Sequence, residues 1–133
     1  MQNQLKVMLE LQNAMNTRVH SEWREQGFEW YRAIWIESAE LMDHYGWKWW
    51  KHQKPDVEQV KLELIDIFHF GLSILLVNKT SIESVAEQLS DALKVDEVYD
   101  FKNSLEAFTA HTLNENDLSV SLFVRLLKGM EMT

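Results

Sequence analysis

Glu37 and Glu40 stand three residues apart in "WIESAELMDHYG", and Glu63 and Asp66 stand three apart in "VKLELIDIFHFG". That spacing puts the two members of each pair on one face of a helix. Large apolar residues surround both: Ile34, Trp35, Ala39 and Leu41 in one case, Leu62, Ile65 and Ile67 in the other. One such pair has an ordinary explanation, a solvated helix face. Two pairs on neighbouring helices, each embedded in apolar sequence, argue for carboxylates that converge. Converging carboxylates repel unless they are paired or bind metal. No lysine or arginine on the same faces offers itself as the partner. A hard divalent cation with oxygen ligands does, and Mg²⁺ is the default choice. Four carboxylates exceed the needs of one ion and imply two or more. Metals held this way are suited to gripping phosphates.

Asp66 and His69 form a carboxylate-x-x-His pair, a pattern that recurs in helical di-iron proteins. Those sites need further carboxylates on two other helices and a second such motif, which this chain lacks. His69 therefore reads as a core or pocket histidine one turn from the cluster. Trp47, Trp49 and Trp50 follow the first acidic pair in "GWKWWK". They either close the end of the fold while Lys48 and Lys51 reach water, or give a flat ligand a wall while a lysine meets its phosphates. Gln12 and Asn16, one turn apart, are either a polar helix edge or a pair of amides that can donate to and accept from a nucleobase.

These residues need long helices to hold them. Leu5, Met8, Leu9, Gln12, Met15 and Asn16 lie at helical spacing, which predicts a first helix from Gln2 to Val19. The polar break "HSEWREQG" precedes a second, Phe28 to Tyr45, with Gly46 as its stop. Asp56 with Gln59 three residues on resembles a capping box and starts a third helix that runs to about Leu76. Its second half is apolar all round and belongs at the centre of the core. The short connection between the second and third helices favours an antiparallel pair. Glu37 lies about two turns before the end of one and Glu63 about two turns after the start of the other, so the acidic pairs are at matching levels. Ser81 or Thr80 caps a fourth helix to about Leu93. A fifth covers Val98 to Thr112, and Asn116 or Asp117 starts a sixth, Leu118 to Met130. The fold class is all-α, a bundle of five or six helices. The apolar stripe Leu118, Leu122, Val124, Leu126 and Leu127 must be covered by this chain or by another subunit.

Composition agrees with that plan. The length of 133 residues suits one domain. Four Gly and one Pro are too few for a fold made of many tight turns. The absence of cysteine excludes disulfides, thiol nucleophiles and thiolate metal sites, and is compatible with a reducing compartment. A net charge of −8 argues against a nucleic-acid polymer as partner. The N-terminus has neither the basic nor the apolar region of a signal peptide. The most apolar run, "IDIFHFGLSILLV", falls short of the ~20 residues that cross a bilayer and contains Asp66 and His69. A cytoplasmic protein with no membrane segment is expected.

"LELQNAMN", "WIESAELMDHYGWKWWK" and "VKLELIDIFHFGLSILL" closely resemble the dimeric all-α dUTPases, within the all-α nucleoside triphosphate pyrophosphatase superfamily that includes the MazG-like proteins. The superfamily signature, ExxE followed by ExxD, reads Glu37-x-x-Glu40 and Glu63-x-x-Asp66. The "GWKWWK" run and the "LQxxxN" of the first helix point to the dUTPase branch. The resemblance spans about Leu9 to Leu76. It implies hydrolysis of dUTP, and commonly dUDP, to dUMP with Mg²⁺, for which Mn²⁺ can substitute, in a homodimer. It implies that Glu37, Glu40, Glu63 and Asp66 hold the metals and that Glu37 or Glu40 orients or deprotonates the attacking water. It places Gln12, Asn16 and Trp49 at the uracil, His69 and Phe70 along the nucleoside pocket, and Lys48 and Lys51 among the nucleotide-binding residues. The family also carries a C-terminal motif rich in Lys, Arg, Gly and Tyr that supplies phosphate contacts. The motif is not found here, which leaves a truncated chain or a shorter relative as explanations. A MazG-like pyrophosphatase for another nucleotide and a non-catalytic helical interaction module are the competing readings.

Overall fold

The computed structural model describes all residues except Lys79, Thr80, Asp96, Val98 and Thr133. Six helices carry the described chain: α1 (Gln2–Val19), α2 (Trp30–Tyr45), α3 (Val57–Asn78), α4 (Ile82–Leu93), α5 (Phe101–Glu115) and α6 (Val120–Gly129). No strand occurs among the described residues, and no helix among them is long and apolar enough to cross a membrane. A single 3₁₀ turn, Trp23–Glu25, occupies the polar break after α1 and buries Trp23.

Each helix turns a narrow stripe inward. On α1 it is Leu5, Leu9 and Gln12, and on α2 it is Ile34, Ser38 and Leu41, both at the i, i+4, i+7 spacing of one face. The second half of α3 is buried without a break from Gly71 to Leu76, as its all-round apolar sequence requires. α2 and α3 make the most extensive contact in the molecule, α4 lies along α1, and α5 covers α2 while also packing on α6. Phe68, Phe108 and Phe123 join α3, α5 and α6 through ring contacts of 5.9 and 6.0 Å.

The ends of the helices follow side-chain chemistry. Gly46 stops α2 at φ +100°, a conformation that costs a residue with a Cβ far more than it costs glycine. Asp56 caps α3 by accepting from the Gln59 N–H at 3.2 Å, but its own N–H donates to the His44 carbonyl at 2.9 Å instead of completing a capping box with Gln59. Ser81 caps α4, whereas Thr80, the other candidate, lies outside the described residues. α2 begins two residues later than its apolar pattern predicts. α5 is displaced: Asp100 caps it, and it runs on to Glu115, where Asn116 ends it in the left-handed conformation at φ 53°. The expected start at Val98 lies outside the described residues. Neither Asn116 nor Asp117 starts α6, because Ser119 caps it. Leu118 is thereby left outside the helix and drops against Gly71 of α3, where a Cβ would meet Leu118 Cδ2 at 2.9 Å. The last apolar stripe is covered by this chain, with Leu118, Val124 and Leu126 all buried.

Candidate active site

The inward stripes of α2 and α3 fix where the acidic residues lie. Ser38 and Leu41 are buried, so Glu37 beside Ser38 is half-buried while Glu40 reaches solvent. The Ser38 hydroxyl donates to the Ile34 carbonyl at 2.7 Å, which keeps that small polar side chain satisfied inside the interface. On α3, Glu63 is only 5% exposed between Val60 and Leu64, and Asp66 lies at the surface. His44, from the last turn of α2, places Nδ1 2.6 Å from Glu63 Oε1. The other oxygen of Glu63, Oε2, is buried with no hydrogen-bond partner.

The four carboxylates feel one another. Burial raises the Glu37 carboxyl above the usual range, and the negative charges of Glu40, Asp66 and Glu63 raise it further. Burial also raises Glu63, opposed by the hydrogen bond and charge of His44 and reinforced by Glu40 and Asp66. As the side chains stand, no three His, Cys, Asp or Glu among the described residues are disposed to hold a metal ion. The residues nevertheless suit a hard cation. Glu63 offers a buried carboxylate oxygen without a partner, and burial together with the neighbouring negative charges pushes two of the carboxyls toward the neutral form.

A second constellation joins α1 to α3. His69 Nδ1 lies 2.9 Å from Gln12 Oε1, Gln12 Nε2 donates to Asn16 Oδ1 at 3.0 Å, and Asn16 Nδ2 donates to Ser73 Oγ at 2.9 Å. Ser73 Oγ donates in turn to the His69 carbonyl at 3.2 Å. Gln12 is buried although it stands on the apolar stripe of α1, and the ring of bonds is what makes that burial tolerable. His69 itself is exposed at the edge of the bundle, not a core residue. Phe70, half-buried next to it, packs on Trp30 at 6.3 Å.

The tryptophans do not close the end of the bundle. Trp49 is 87% exposed, and Trp47 and Trp50 are exposed as well. The three rings pack edge-to-face on one another, at 5.4 Å for Trp47–Trp50 and 4.6 Å for Trp49–Trp50. The loop that carries them is held at its base, where Gln53 Oε1 accepts from the N–H groups of Trp47 and Lys48 at 2.9 and 2.7 Å. Lys48 lies over the Trp47 ring, and Lys51 is exposed. The structure thus gathers Glu37, Glu40, Glu63 and Asp66 in one group and Gln12, Asn16 and His69 in another. Trp49, Lys48 and Lys51 stand apart on the loop.

Three participants escaped the sequence: His44, Ser73 and Gln53. His44 is one residue among several polar ones at the end of α2, and its link to Glu63 is non-local. Ser73 carried one usable signal, a hydroxyl one helical turn after His69 inside an otherwise apolar run.

The family model for dUTPase matches residues 4–133. The chain belongs to the dUTPase family. The match extends through α4, α5 and α6, well past the segment on which the sequence motifs rest. No curated protein matches the chain. Membership makes the protein an enzyme, a dUTP diphosphatase that takes a nucleotide substrate, and dUTPases are in general dependent on divalent metal.

Proposed function

We propose that this dUTPase hydrolyses dUTP, and dUDP as well, to dUMP with Mg²⁺ held by Glu37, Glu40, Glu63 and Asp66 on an antiparallel α2–α3 pair. Water attacks phosphorus, and dUMP leaves together with pyrophosphate from dUTP or orthophosphate from dUDP. The observation that carries this reading is Glu63, 5% exposed, with one oxygen taken by His44 and the other facing no donor. A buried carboxylate with half its valence unused is costly in a metal-free fold and useful in a metal-bound one.

When bound, the cations would supply positive charge to the phosphate oxygens. The chain does the rest. One of Glu37 and Glu40 orients the attacking water and takes its proton. Gln12 and Asn16 read the base, His69 and Phe70 line the nucleoside, and Trp49 with Lys48 and Lys51 folds over the nucleotide from the loop. In the cell this activity limits uracil incorporation into DNA and supplies dUMP for thymidylate synthesis in the cytoplasm. Glu40→Ala and Asp66→Ala are expected to abolish hydrolysis while leaving the helical content and unfolding midpoint near those of the parent, since both side chains are exposed. Full activity in both variants would overturn the assignment.

The homodimer reading rests on a separate observation. Val7, Met8, Leu11 and Met15 of α1 and Leu62 and Ile65 of α3 are exposed. Met8 and Ile65 share the wall of an apolar groove of about 210 Å³, so the two helices present one continuous face. Such a face is suited to a second copy of the chain. Leu11→Glu is expected to shift the sedimentation coefficient to that of a monomer, and an unchanged value would exclude this face.

A further inference from the structure

The ring of bonds around Gln12 has a direction, and one residue sets it. His69 Nδ1, Gln12, Asn16 and Ser73 can be linked in two senses. In the sense found here there are four bonds: His69 to Gln12, Gln12 to Asn16, Asn16 to Ser73, and Ser73 to the His69 carbonyl. In the opposite sense Ser73 donates to Asn16, Asn16 to Gln12 and Gln12 to His69 Nδ1. The carbonyl of His69 cannot donate, so it drops out and only three bonds remain. Ser73 is fully buried and has no water to donate to instead. A backbone carbonyl, whose polarity is fixed, therefore decides which way both amides face.

We propose that Ser73 is a specificity-determining positioning residue, which orients the amides of Gln12 and Asn16 for a base with a ring N–H between two carbonyls and against a base with the reversed pattern. Each amide keeps one N–H and one lone pair beyond the ring of bonds, and the sense of the ring fixes on which side each lies. Uracil presents N3–H beside O2 and O4. Cytosine keeps O2 but presents a bare N3 beside an amino group, which reverses donor and acceptor at those two positions. The proposal rests on the reading of Gln12 and Asn16 as the residues that meet the base. It also assigns His69 the Nδ1–H form, which leaves Nε2 as an acceptor for a hydroxyl of the ligand.

Ser73→Ala removes two bonds from one sense and one from the other, leaving two in each. The two amide orientations then become equal in energy. A single net hydrogen bond favours one orientation by about tenfold, so the change takes the working orientation from about nine-tenths of molecules to about half. With Mg²⁺ and the full chain, kcat/KM for dUTP should fall about twofold while that for dCTP rises about fivefold. A general loosening of the fold would lower both. Ser73→Thr, which keeps the hydroxyl, should retain the parent ratio. Nitrogen-15 spectra of the imidazole should show the Nδ1–H form of His69 in the parent and a mixture of tautomers in Ser73→Ala. A parent that turns over dUTP and dCTP alike would overturn the base-recognition reading and this proposal with it. A discriminating parent whose Ser73→Ala variant keeps the same ratio would overturn the role of Ser73 alone, as would a parent whose His69 is mainly in the Nε2–H form.

Discussion

His44 and Glu63 form a polar contact between α2 and α3, and its worth can be measured without any metal or substrate. His44→Ala takes Nδ1 away from Glu63 Oε1, the only oxygen of that carboxylate with a partner. Glu63 is 5% exposed, so neither oxygen regains full hydration. Leaving a buried carboxylate wholly unpaired costs about 2–3 kcal/mol. In a chain of this length each kcal/mol moves the midpoint by roughly 4 °C, so the metal-free variant should melt about 10 °C below the parent. Glu63→Gln keeps the shape and an acceptor oxygen but removes the charge. In that background His44→Ala strands only an amide, at a cost of about 1 kcal/mol. The loss of imidazole packing is common to both arms and cancels. Urea unfolding of the four proteins at pH 7 in chelator should therefore give a coupling energy of about 1–2 kcal/mol. Costs that agree to within about 0.5 kcal/mol in the two backgrounds would mean that the contact is incidental and that Glu63 is not held by His44.

The raised carboxyls of Glu37 and Glu63 give the metal-free fold a definite pH dependence. A carboxyl raised in the folded state binds its proton more tightly there than in the unfolded chain. Its contribution is fully present below the unfolded value near 4.5 and is lost as pH rises through the raised folded value. Glu37→Gln should flatten this part of the unfolding midpoint against pH, and Mg²⁺ should raise the parent's midpoint most at the neutral end; a Glu37→Gln profile superposable on the parent's would refute the coupling. Trp49→Ala should leave the midpoint within about 2 °C, because an 87% exposed ring contributes little to packing. It should weaken binding of a non-hydrolysable dUTP analogue measured by titration calorimetry, and unchanged affinity would remove Trp49 from the site.

The four carboxylates were legible because helical spacing is a local property. Three-residue spacing needs only the sequence and survives folding, whereas the apolar neighbours divide: Ile34, Leu41 and Ile67 are buried, but Trp35, Leu62 and Ile65 are exposed. The partner of Glu63 was not legible, because His44 and Glu63 meet only when α2 and α3 pack. Ser73 was hidden for a related reason: its hydroxyl matters through a bond to α1, and its sequence neighbours are all core residues. The α6 boundary shows a different limit. Asn116, Asp117 and Ser119 are all good caps within four positions, and propensity does not rank them. Packing does, because Leu118 has to leave the helix to reach Gly71. The tryptophans mark the point where hydrophobicity misleads. Their size suggests burial, yet a loop clasped by Gln53 holds them out on one another, away from the core.

The close approach of Leu118 to Gly71 also ties together two parts of the chain that the sequence motifs treat separately. α3 carries half of the acidic group, and the turn before α6 belongs to the segment where motif resemblance fades. A methyl group at position 71 would sit 2.9 Å from Leu118 Cδ2 and 3.2 Å from Cδ1. A residue with a Cβ at 71 therefore requires the end of the Leu118 side chain to move. Among descendants of this sequence a side chain at 71 should be found together with a smaller or re-oriented residue at 118, a trace of joint substitution in lineages that have otherwise diverged through α4, α5 and α6.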